Sequence, residues 1–185
     1  MGVEDRAGSA RFEAVVLPHL DAAYNLARWL TRDDHAAEDV VQEAYLRALK
    51  FFGGFRGGDG RAWILTIVRN ACFDWLKLRR AEDLHDPFDE DIHSPDIDRP
   101  AEHSGGAAAN PETSAARSAT AEQIRDALES LPAGYREALV LRELEGLSYK
   151  EIASIAEVPI GTVMSRLARA RRQLRKQLHL EREES

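Results

Sequence analysis

One long acidic segment divides this chain of 185 residues and limits what it can fold into. Residues 82–120 carry ten carboxylates against two arginines, together with four prolines and a Gly-Gly pair. Such a segment has too little apolar surface to offset the entropy that a chain loses on ordering. We therefore predict a disordered acidic linker over 82–120, flanked by two structured domains at residues 10–81 and 121–180.

The rest of the composition excludes several classes of protein. The single cysteine, Cys72, excludes an internal disulfide and a cysteine-based zinc site. Its apolar surroundings favour a buried structural thiol over a reactive one. The sequence contains neither a secretory signal nor an apolar run near the ~18 residues that span a bilayer. These features predict a cytoplasmic protein.

Apolar residues recur at helical spacing in the first domain. Steps of three and four residues predict one amphipathic helix whose inner side consists of Phe12, Val16, Leu20, Ala23, Ala27 and Leu30. Acidic residues near Asp33 suit the start of a second helix, because a helix N-terminus is electropositive. Its inner side is predicted to be Ala37, Val40, Val41, Ala44, Ala48 and Phe51. Its outer side is predicted to be Asp39, Gln42, Glu43, Leu46 and Lys50, among which an exposed leucine is not unusual.

A glycine-rich stretch, GGFRGGDG at 53–60, follows the second helix. It lacks the Gly-Lys-Ser/Thr of a phosphate loop, and no predicted strand precedes it, so we interpret it as a turn. The next helix, RAWILTIVRNACFDWLKLRR, interleaves aromatic residues with bases. This composition suits a single-stranded nucleic-acid surface, where rings stack on bases and cations follow the phosphates. The alternative, tryptophans in the core and solvated arginines, is slightly favoured by the spacing alone.

The second domain has the pattern of a helix-turn-helix. Ser148 and Glu151 form the sequence of a capping box at the start of a short helix. Pro159 occupies a position that tolerates a missing amide hydrogen, at the first residue of a long basic helix. A short helix, a tight turn and a longer basic helix are typical of this motif.

The long helix presents two different faces. An apolar stripe is formed by Val163, Leu167, Ala170, Leu174 and Leu178. The opposite face is small at its start and basic later, and includes Gly161, Ser165, Ala168, Arg169 and Arg172 with Met164 beside it. The start of such a helix enters the major groove, and later arginines contact phosphates. Packing against a partner protein is the alternative; the capping box, turn, proline and basic end together favour DNA.

Three blocks in order resemble a bacterial sigma-70-type factor of the extracytoplasmic function (ECF) group. DVVQEAYLRAL resembles the core-polymerase-binding helix, and FRGGDGRAWILTIVRNACFDWLKLRR resembles the promoter-melting segment. Asn-Pro-Glu at 110–112, followed by LPAGYREALVLRELEGLSYKEIASIAEVPIGTVMSRLARAR, resembles the C-terminal DNA-binding domain. The resemblance implies an all-α fold of two small helical domains, a sigma-2-like bundle and a sigma-4-like helix-turn-helix.

The resemblance also implies three contact surfaces. Contacts with the clamp helices of the polymerase largest subunit are implied for Asp39, Gln42, Glu43 and Leu46. Contacts with the −10 element are implied for Asn70, which would capture a flipped base, and for Arg69, Lys77, Arg79 and Arg80. Contacts with the −35 element are implied for Thr162, Met164, Ser165, Ala168, Arg169 and Arg172. Met164 and Ala168 depart from the family, which often has Arg or Lys at the first position and a bulkier residue at the second.

Further partners follow from the same resemblance. It implies binding to the flap of the polymerase beta subunit and to promoter DNA, and control by an anti-sigma factor that could hold the protein at the inner membrane. The acidic linker would thread polymerase channels that later hold RNA, unless it is simply a solvated tether. We expect no enzymatic activity, no cofactor, no metal and no small-molecule substrate, and see no metal spacing in His85, His93 and His103.

Two other functions remain open at this stage. A conventional helix-turn-helix regulator that binds duplex DNA as a dimer would account for 121–180 but would leave the first domain without a role. A sigma-like decoy that titrates an anti-sigma factor would usually sit beside a receiver domain, which this sequence lacks. Core-polymerase binding and promoter-specific transcription distinguish the three functions.

Overall fold

The structure is a computed structural model that describes the backbone of residues 3–83 and 121–183, with side chains for 8–81 and 121–178. All regular elements in these residues are helical, which confirms the predicted fold class. The α-helices are α1 (Val3–Val16), α2 (Leu20–Thr31), α3 (Asp34–Phe51), α4 (Gly60–Asp83), α5 (121–129), α6 (Ala133–Leu139), α7 (Tyr149–Ala156) and α8 (Ile160–Glu183). We call α1–α4 the first helical region and α5–α8 the second. The predicted linker lies outside the described residues from position 84 onward.

The predicted single helix from Phe12 to Leu30 is wrong, because it is two helices. A short 3₁₀ turn, Leu17–His19, separates α1 from α2 and contains Pro18. Proline has no amide hydrogen to donate to the hydrogen-bond ladder of an α-helix, so the helix is interrupted there. Leu20, which was expected on the inner side, is 43% exposed at the start of α2, whereas the other five predicted inner residues are buried.

The corner between α2 and α3 is built from local hydrogen bonds. Arg32 adopts a left-handed backbone conformation at φ 62°, and its amide donates to the Arg28 carbonyl. Asp33 then caps α3, since its Oδ1 accepts from the Ala36 amide at 2.7 Å. A side-chain cap of this kind contributes about 1 kcal/mol. The predicted helix start at these acidic residues is confirmed.

The end of α3 differs from the helical pattern. Phe51 was predicted inside but is 62% exposed, while Phe52 is 8% exposed. The chain tightens into a 3₁₀ turn at Phe52–Gly54. The turn brings the ring of Phe52 toward the core in place of the ring of Phe51, which the helical period predicts there. The Phe52 ring lies 5.3 Å from that of Phe12 and 5.7 Å from that of Phe55.

The glycine-rich stretch is a turn between α3 and α4, as its sequence indicates. Gly57 and Gly58 have φ of 95° and 104°, which side chains rarely adopt. Asp59 then caps α4 by accepting from the Arg61 amide at 2.9 Å. Gly60 allows close approach of α1, because a Cβ there would lie 2.9 Å from the Val15 carbonyl oxygen.

The second helical region follows the predicted motif closely. Both halves of the capping box are present: the Ser148 amide donates to Glu151 at 2.7 Å, and the Glu151 amide donates to the Ser148 hydroxyl at 3.3 Å. Pro159 lies one residue earlier than predicted. It precedes the first helical residue, and its carbonyl accepts from the Thr162 amide at 2.9 Å.

A widened turn links α6 to α7. It spans Val140–Leu144, and the Glu145 amide donates five residues back to the Val140 carbonyl at 3.1 Å. Gly146 follows with φ of 67°, and the Leu147 amide donates a hydrogen bond to the Leu141 carbonyl at 3.0 Å. The turn therefore fixes the backbone of Glu145 through bonds inside the second region.

The two regions pack directly against each other. Helix α4 lies against α7, and α2 lies against α6. Their buried apolar side chains form one continuous cluster that runs from Phe12 to Ala170. In the described residues, none of the helices is both long enough and apolar enough to cross a membrane.

We expect Gly60→Ala to lower the thermal unfolding midpoint, because the new methyl group would lie too close to the Val15 backbone. Overpacking of this kind typically costs ~1–3 kcal/mol. Circular dichroism melting measures the effect. Gly53→Ala is the control, since a Cβ there meets nothing within 4 Å. Equal midpoints for the two variants would contradict the close approach.

Candidate polymerase and nucleic-acid interfaces

The predicted polymerase-facing residues lie on one exposed stripe of α3. Asp39, Gln42, Glu43 and Leu46 are all exposed, and Leu46 has 68% of its surface in solvent. Leu49, one turn further on, is 51% exposed and extends the apolar part of the stripe. Sequence reasoning missed Leu49, although its spacing from Leu46 places it on the same side.

Arg69 and Asn70 of α4 form a connected pair. The Arg69 Nη1 donates to the Asn70 Oδ1 at 3.0 Å, and the guanidinium lies 4.4 Å from the centre of the Phe73 ring. The Arg69 side chain is 16% exposed, because the second region covers it. The structure therefore brings these two predicted −10 residues together, but at a half-buried position.

The other predicted −10 residues lie further along α4. Lys77 is 77% exposed, Arg79 is exposed with its guanidinium 5.2 Å from the Trp75 ring centre, and Arg80 is half-buried. They form a basic end to the helix, two or more turns from Asn70.

The aromatic residues of α4 are neither fully exposed, as expected of a surface that stacks on bases, nor fully buried, as expected of core residues. Trp63, Phe73 and Trp75 are all half-buried. Trp63 packs 5.0 Å from the ring of Phe55, whereas Phe73 and Trp75 carry arginines on their faces. A cation over an aromatic face gains ~0.5–1 kcal/mol at an exposed site.

Glu137 of α6 lies at the centre of the contact between the regions. Its side chain is fully buried, and Oε1 accepts from the Arg69 Nε at 2.7 Å. The other oxygen accepts from Arg166 of α8 at 3.4 Å. Burial raises the pKa of Glu137, and the two guanidinium groups oppose that rise.

The Cys72 thiol lies in the same environment. Burial, with a smaller contribution from Glu137, raises the pKa of Cys72 to about 12. The thiol is therefore protonated at neutral pH, and thiolate is the form that reacts. The predicted buried structural cysteine is confirmed.

Arg136, beside Glu137, is also fully buried. Its Nη1 donates to the carbonyls of Glu129 at 2.6 Å and Leu131 at 2.8 Å, while Nη2 reaches the Leu30 carbonyl of α2 at 3.5 Å. Burial lowers the pKa of Arg136 to about 9, which leaves it charged at neutral pH. No helical period marked Arg136 or Glu137 as buried, so sequence reasoning missed both.

A second polar contact joins the regions near the start of α4. Arg61 Nη2 donates to the Glu145 Oε2 at 2.6 Å and to the Glu145 carbonyl at 2.9 Å. The Glu145 Oε1 accepts from Asn25 of α2 at 3.3 Å. The Glu145 side chain is 7% exposed and that of Arg61 is 29% exposed, while the hydrogen bond from Asn25 lies at the surface.

The predicted −35 residues lie on α8. Met164, Ser165, Ala168, Arg169 and Arg172 are exposed, and Thr162 is half-buried. The apolar stripe faces inward: Val163, Leu167 and Ala170 are buried, and Leu174 and Leu178 are half-buried. Met164, 53% exposed, therefore stands on the outer surface and not in the core.

Comparison with known proteins identifies the family. The family model "Sigma-70 region 2" matches residues 15–82, and "Sigma-70, region 4" matches residues 121–174. The RNA polymerase sigma-H factor of Pseudomonas aeruginosa is 32% identical over 94% of this chain and 89% of its own length. The chain belongs to the sigma-70 family, ECF subgroup. Members of this family are transcription initiation factors and not enzymes.

Other relatives agree with this family. The ECF sigma-E factor of Escherichia coli is 37% identical over 72% of this chain and 69% of its own length. SigE of Mycolicibacterium smegmatis is 34% identical over 92% of this chain, which spans 63% of SigE. The sigma factor RpoE of Bartonella quintana, solved with the anti-sigma factor NepR, superposes with a TM-score of 0.68 at 28% identity, covering 91% of this chain and 97% of RpoE.

Proposed function

We propose that this sigma factor binds core RNA polymerase and directs it to promoters through both helical regions. The second region would recognise −35 DNA, and the first would capture melted −10 bases. The observation that carries this proposal is the presence, in one chain, of an exposed apolar stripe on α3 and an exposed outer face on the recognition helix α8, which follows the capped helix α7. A conventional duplex-binding regulator would use the recognition helix and would have no need of the exposed apolar stripe on α3.

The α3 stripe supports binding to the clamp helices of the polymerase largest subunit. Leu46 and Leu49 expose apolar surface that gains free energy when a partner covers it, at roughly 25 cal/mol per Å². Asp39, Gln42 and Glu43 surround them with polar groups that suit the rim of an interface. Contact of the second region with the beta-subunit flap belongs to the same proposal.

The first region would hold single-stranded −10 DNA along α4. Asn70 offers an amide that can pair with a base edge, and Arg69, Lys77, Arg79 and Arg80 supply cations for phosphates. Asn70 is oriented by Arg69, so its carbonyl oxygen is already fixed by one hydrogen bond. The basic end of α4 would meet the strand beyond the captured base.

The second region would place the start of α8 in the major groove at the −35 element. Thr162, Met164, Ser165 and Ala168 are small or uncharged and permit close approach. Arg169 and Arg172 would contact phosphates, which position the helix without reading the sequence.

We further propose that an anti-sigma factor controls the protein in the cytoplasm, in a stress or envelope response, with sequestration at the inner membrane. The support is that the similar RpoE of Bartonella quintana was solved with an anti-sigma factor. The linker, with net charge −8 from its ten carboxylates and two arginines, would thread polymerase channels in place of nucleic acid.

Run-off transcription with core polymerase of the same organism tests the proposal. A promoter-specific transcript is expected when core polymerase and this protein are combined. Tight duplex binding without a transcript would favour a conventional regulator. Failure to bind core polymerase, with retained anti-sigma binding, would favour a decoy.

Leu46→Asp should abolish core binding without changing the unfolding midpoint, because it places a charge on an exposed contact surface. A pull-down with core polymerase and a melting curve measure the two quantities. Leu78→Asp is the matched control, since Leu78 is 66% exposed on a different helix. Normal polymerase binding by the Leu46 variant would contradict the assigned surface.

Asn70→Ala should reduce promoter melting more than formation of the closed complex, since only melted DNA offers a free base edge. Permanganate footprinting reports melting, and gel retardation reports the closed complex. Equal losses in the two assays would show that Asn70 has another role.

Arg172→Ala should weaken −35 binding about equally for all sequences, whereas Met164→Arg should create a preference for guanine of ~1–3 kcal/mol. A competition assay with a set of −35 duplexes separates these effects. A change in base preference caused by Arg172→Ala would mean that Arg172 reads base edges.

A further inference from the structure

Three exposed apolar side chains lie along one side of the first turns of α8. Ile160 is 46% exposed, Met164 is 53% exposed, and Ala168 is exposed as well. They are four residues apart, so they follow one another on the same side of the helix. We call Ile160, Met164 and Ala168 the α8 ridge. The core is filled from the other side of these turns by Val163 and Leu167, which are buried, so the ridge is available to a partner.

The charges beside the α8 ridge favour DNA as that partner. Between positions 160 and 178, α8 contains six arginines and lysines and no carboxylate. Arg169, Arg172 and Arg175 are exposed on the turns that follow the ridge. Cations of this kind contact phosphates, and the major groove between two phosphate backbones exposes one apolar group, the 5-methyl group of thymine. An apolar ridge followed by cations therefore matches the major groove in both charge and polarity.

The first cation of α8 is turned away from the ridge. Arg166 is the one arginine or lysine within residues 160–168, and its Nη1 donates to the buried Glu137 carboxylate at 3.4 Å. The Arg166 side chain is 25% exposed. Guanine is most often read by a bidentate contact from arginine or lysine to its O6 and N7 atoms. The turns that carry the ridge thus lack an outward-facing cation for that contact.

Ser165 adds a hydrogen-bond acceptor beside the ridge. Its hydroxyl donates to the Thr162 carbonyl at 2.9 Å, which leaves only the lone pairs of the oxygen for a ligand. The donors in the major groove are the amino groups of adenine and cytosine. An A·T pair presents an amino group together with a methyl group, whereas a G·C pair presents the amino group without the methyl. Ser165 and the ridge together therefore fit an A·T pair better than a G·C pair.

We propose that the α8 ridge reads the 5-methyl groups of thymines in the −35 element, while Ser165 accepts from an adenine amino group. The inference rests on the proposed function and names the chemical group that the recognition helix selects. Met164 and Ala168 lie about 6 Å apart along the helix axis, at ~1.5 Å per residue. Successive base pairs are about 3.4 Å apart, so the two side chains should contact thymines no more than two base pairs apart.

Replacing thymidine by deoxyuridine tests the proposal, because uracil lacks only the 5-methyl group. Holoenzyme, formed from the full chain and core RNA polymerase, is first used to select duplexes from a library randomised at the −35 element. Each thymidine of the selected element is then replaced in turn, and dissociation constants are measured by competition. At two thymidines, no more than two base pairs apart, deoxyuridine should weaken binding about 4-fold, the factor expected for one buried methyl group.

Two variants assign the methyl contacts to individual residues. Met164→Gln keeps the length and helix propensity of the side chain but removes its apolar end, so it should bind thymidine and deoxyuridine equally at one of the two positions. Ala168→Gly should do the same at the other position. The comparison is made within each variant, so a general loss of helix stability cancels. Ile124→Gln is the matched control, since Ile124 is 43% exposed on α5, and it should keep the preference at both positions.

Equal affinities for thymidine and deoxyuridine throughout the selected element would overturn the inference, as would selected elements that contain no thymidine. A wild-type preference in both Met164→Gln and Ala168→Gly would overturn the assignment to the ridge. Weaker binding of core polymerase by Met164→Gln, with the thymidine preference unchanged, would show that the ridge contacts protein instead. Holoenzyme that selects no duplex at all would contradict the proposed function itself, and with it the inference.

Discussion

The arrangement of the two helical regions depends on the buried carboxylate of Glu137. A carboxylate without exposure to water is costly unless charged groups surround it. Arg69 and Arg166 supply those groups from α4 and α8, the two helices that carry the proposed DNA-binding surfaces. Replacing Arg69 by an uncharged residue would leave this carboxylate buried with a single, longer ion pair, and removing one partner of a buried pair typically costs ~3–5 kcal/mol. Arg136 adds a second buried charge at the same contact.

Because the two regions are packed together, some of the proposed contact surfaces are exposed to solvent and others are partly covered. The α3 stripe around Leu46, the proposed polymerase-binding surface, is exposed while the two regions are packed together. The start of α8 is exposed as well. The Arg69–Asn70 pair, by contrast, is half-buried beneath the second region. If these surfaces act as proposed, polymerase binds first and −10 DNA last, which would keep the free protein from binding melted DNA unproductively.

Features determined by near neighbours in the chain could be predicted from the sequence. The capping box at Ser148 and Glu151 and the exposed Leu46 depend on residues within one or two helical turns. The prediction from periodicity failed where the helical hydrogen-bond pattern is interrupted. Pro18 divides the predicted first helix, and the turn after α3 buries Phe52 in place of Phe51. It also missed contacts between distant segments, such as Arg61 with Glu145, because no periodicity connects residues 84 positions apart.

The distance between the regions tests the account most directly. Ala14→Cys on α1 and Ser154→Cys on α7 are exposed sites for a donor and an acceptor dye, while the buried Cys72 should remain unlabelled. Efficient energy transfer is predicted in the free protein, with a large loss when core polymerase and promoter DNA are added. Low transfer in the free protein, or equal transfer with and without polymerase, would contradict a closed chain that opens to initiate transcription.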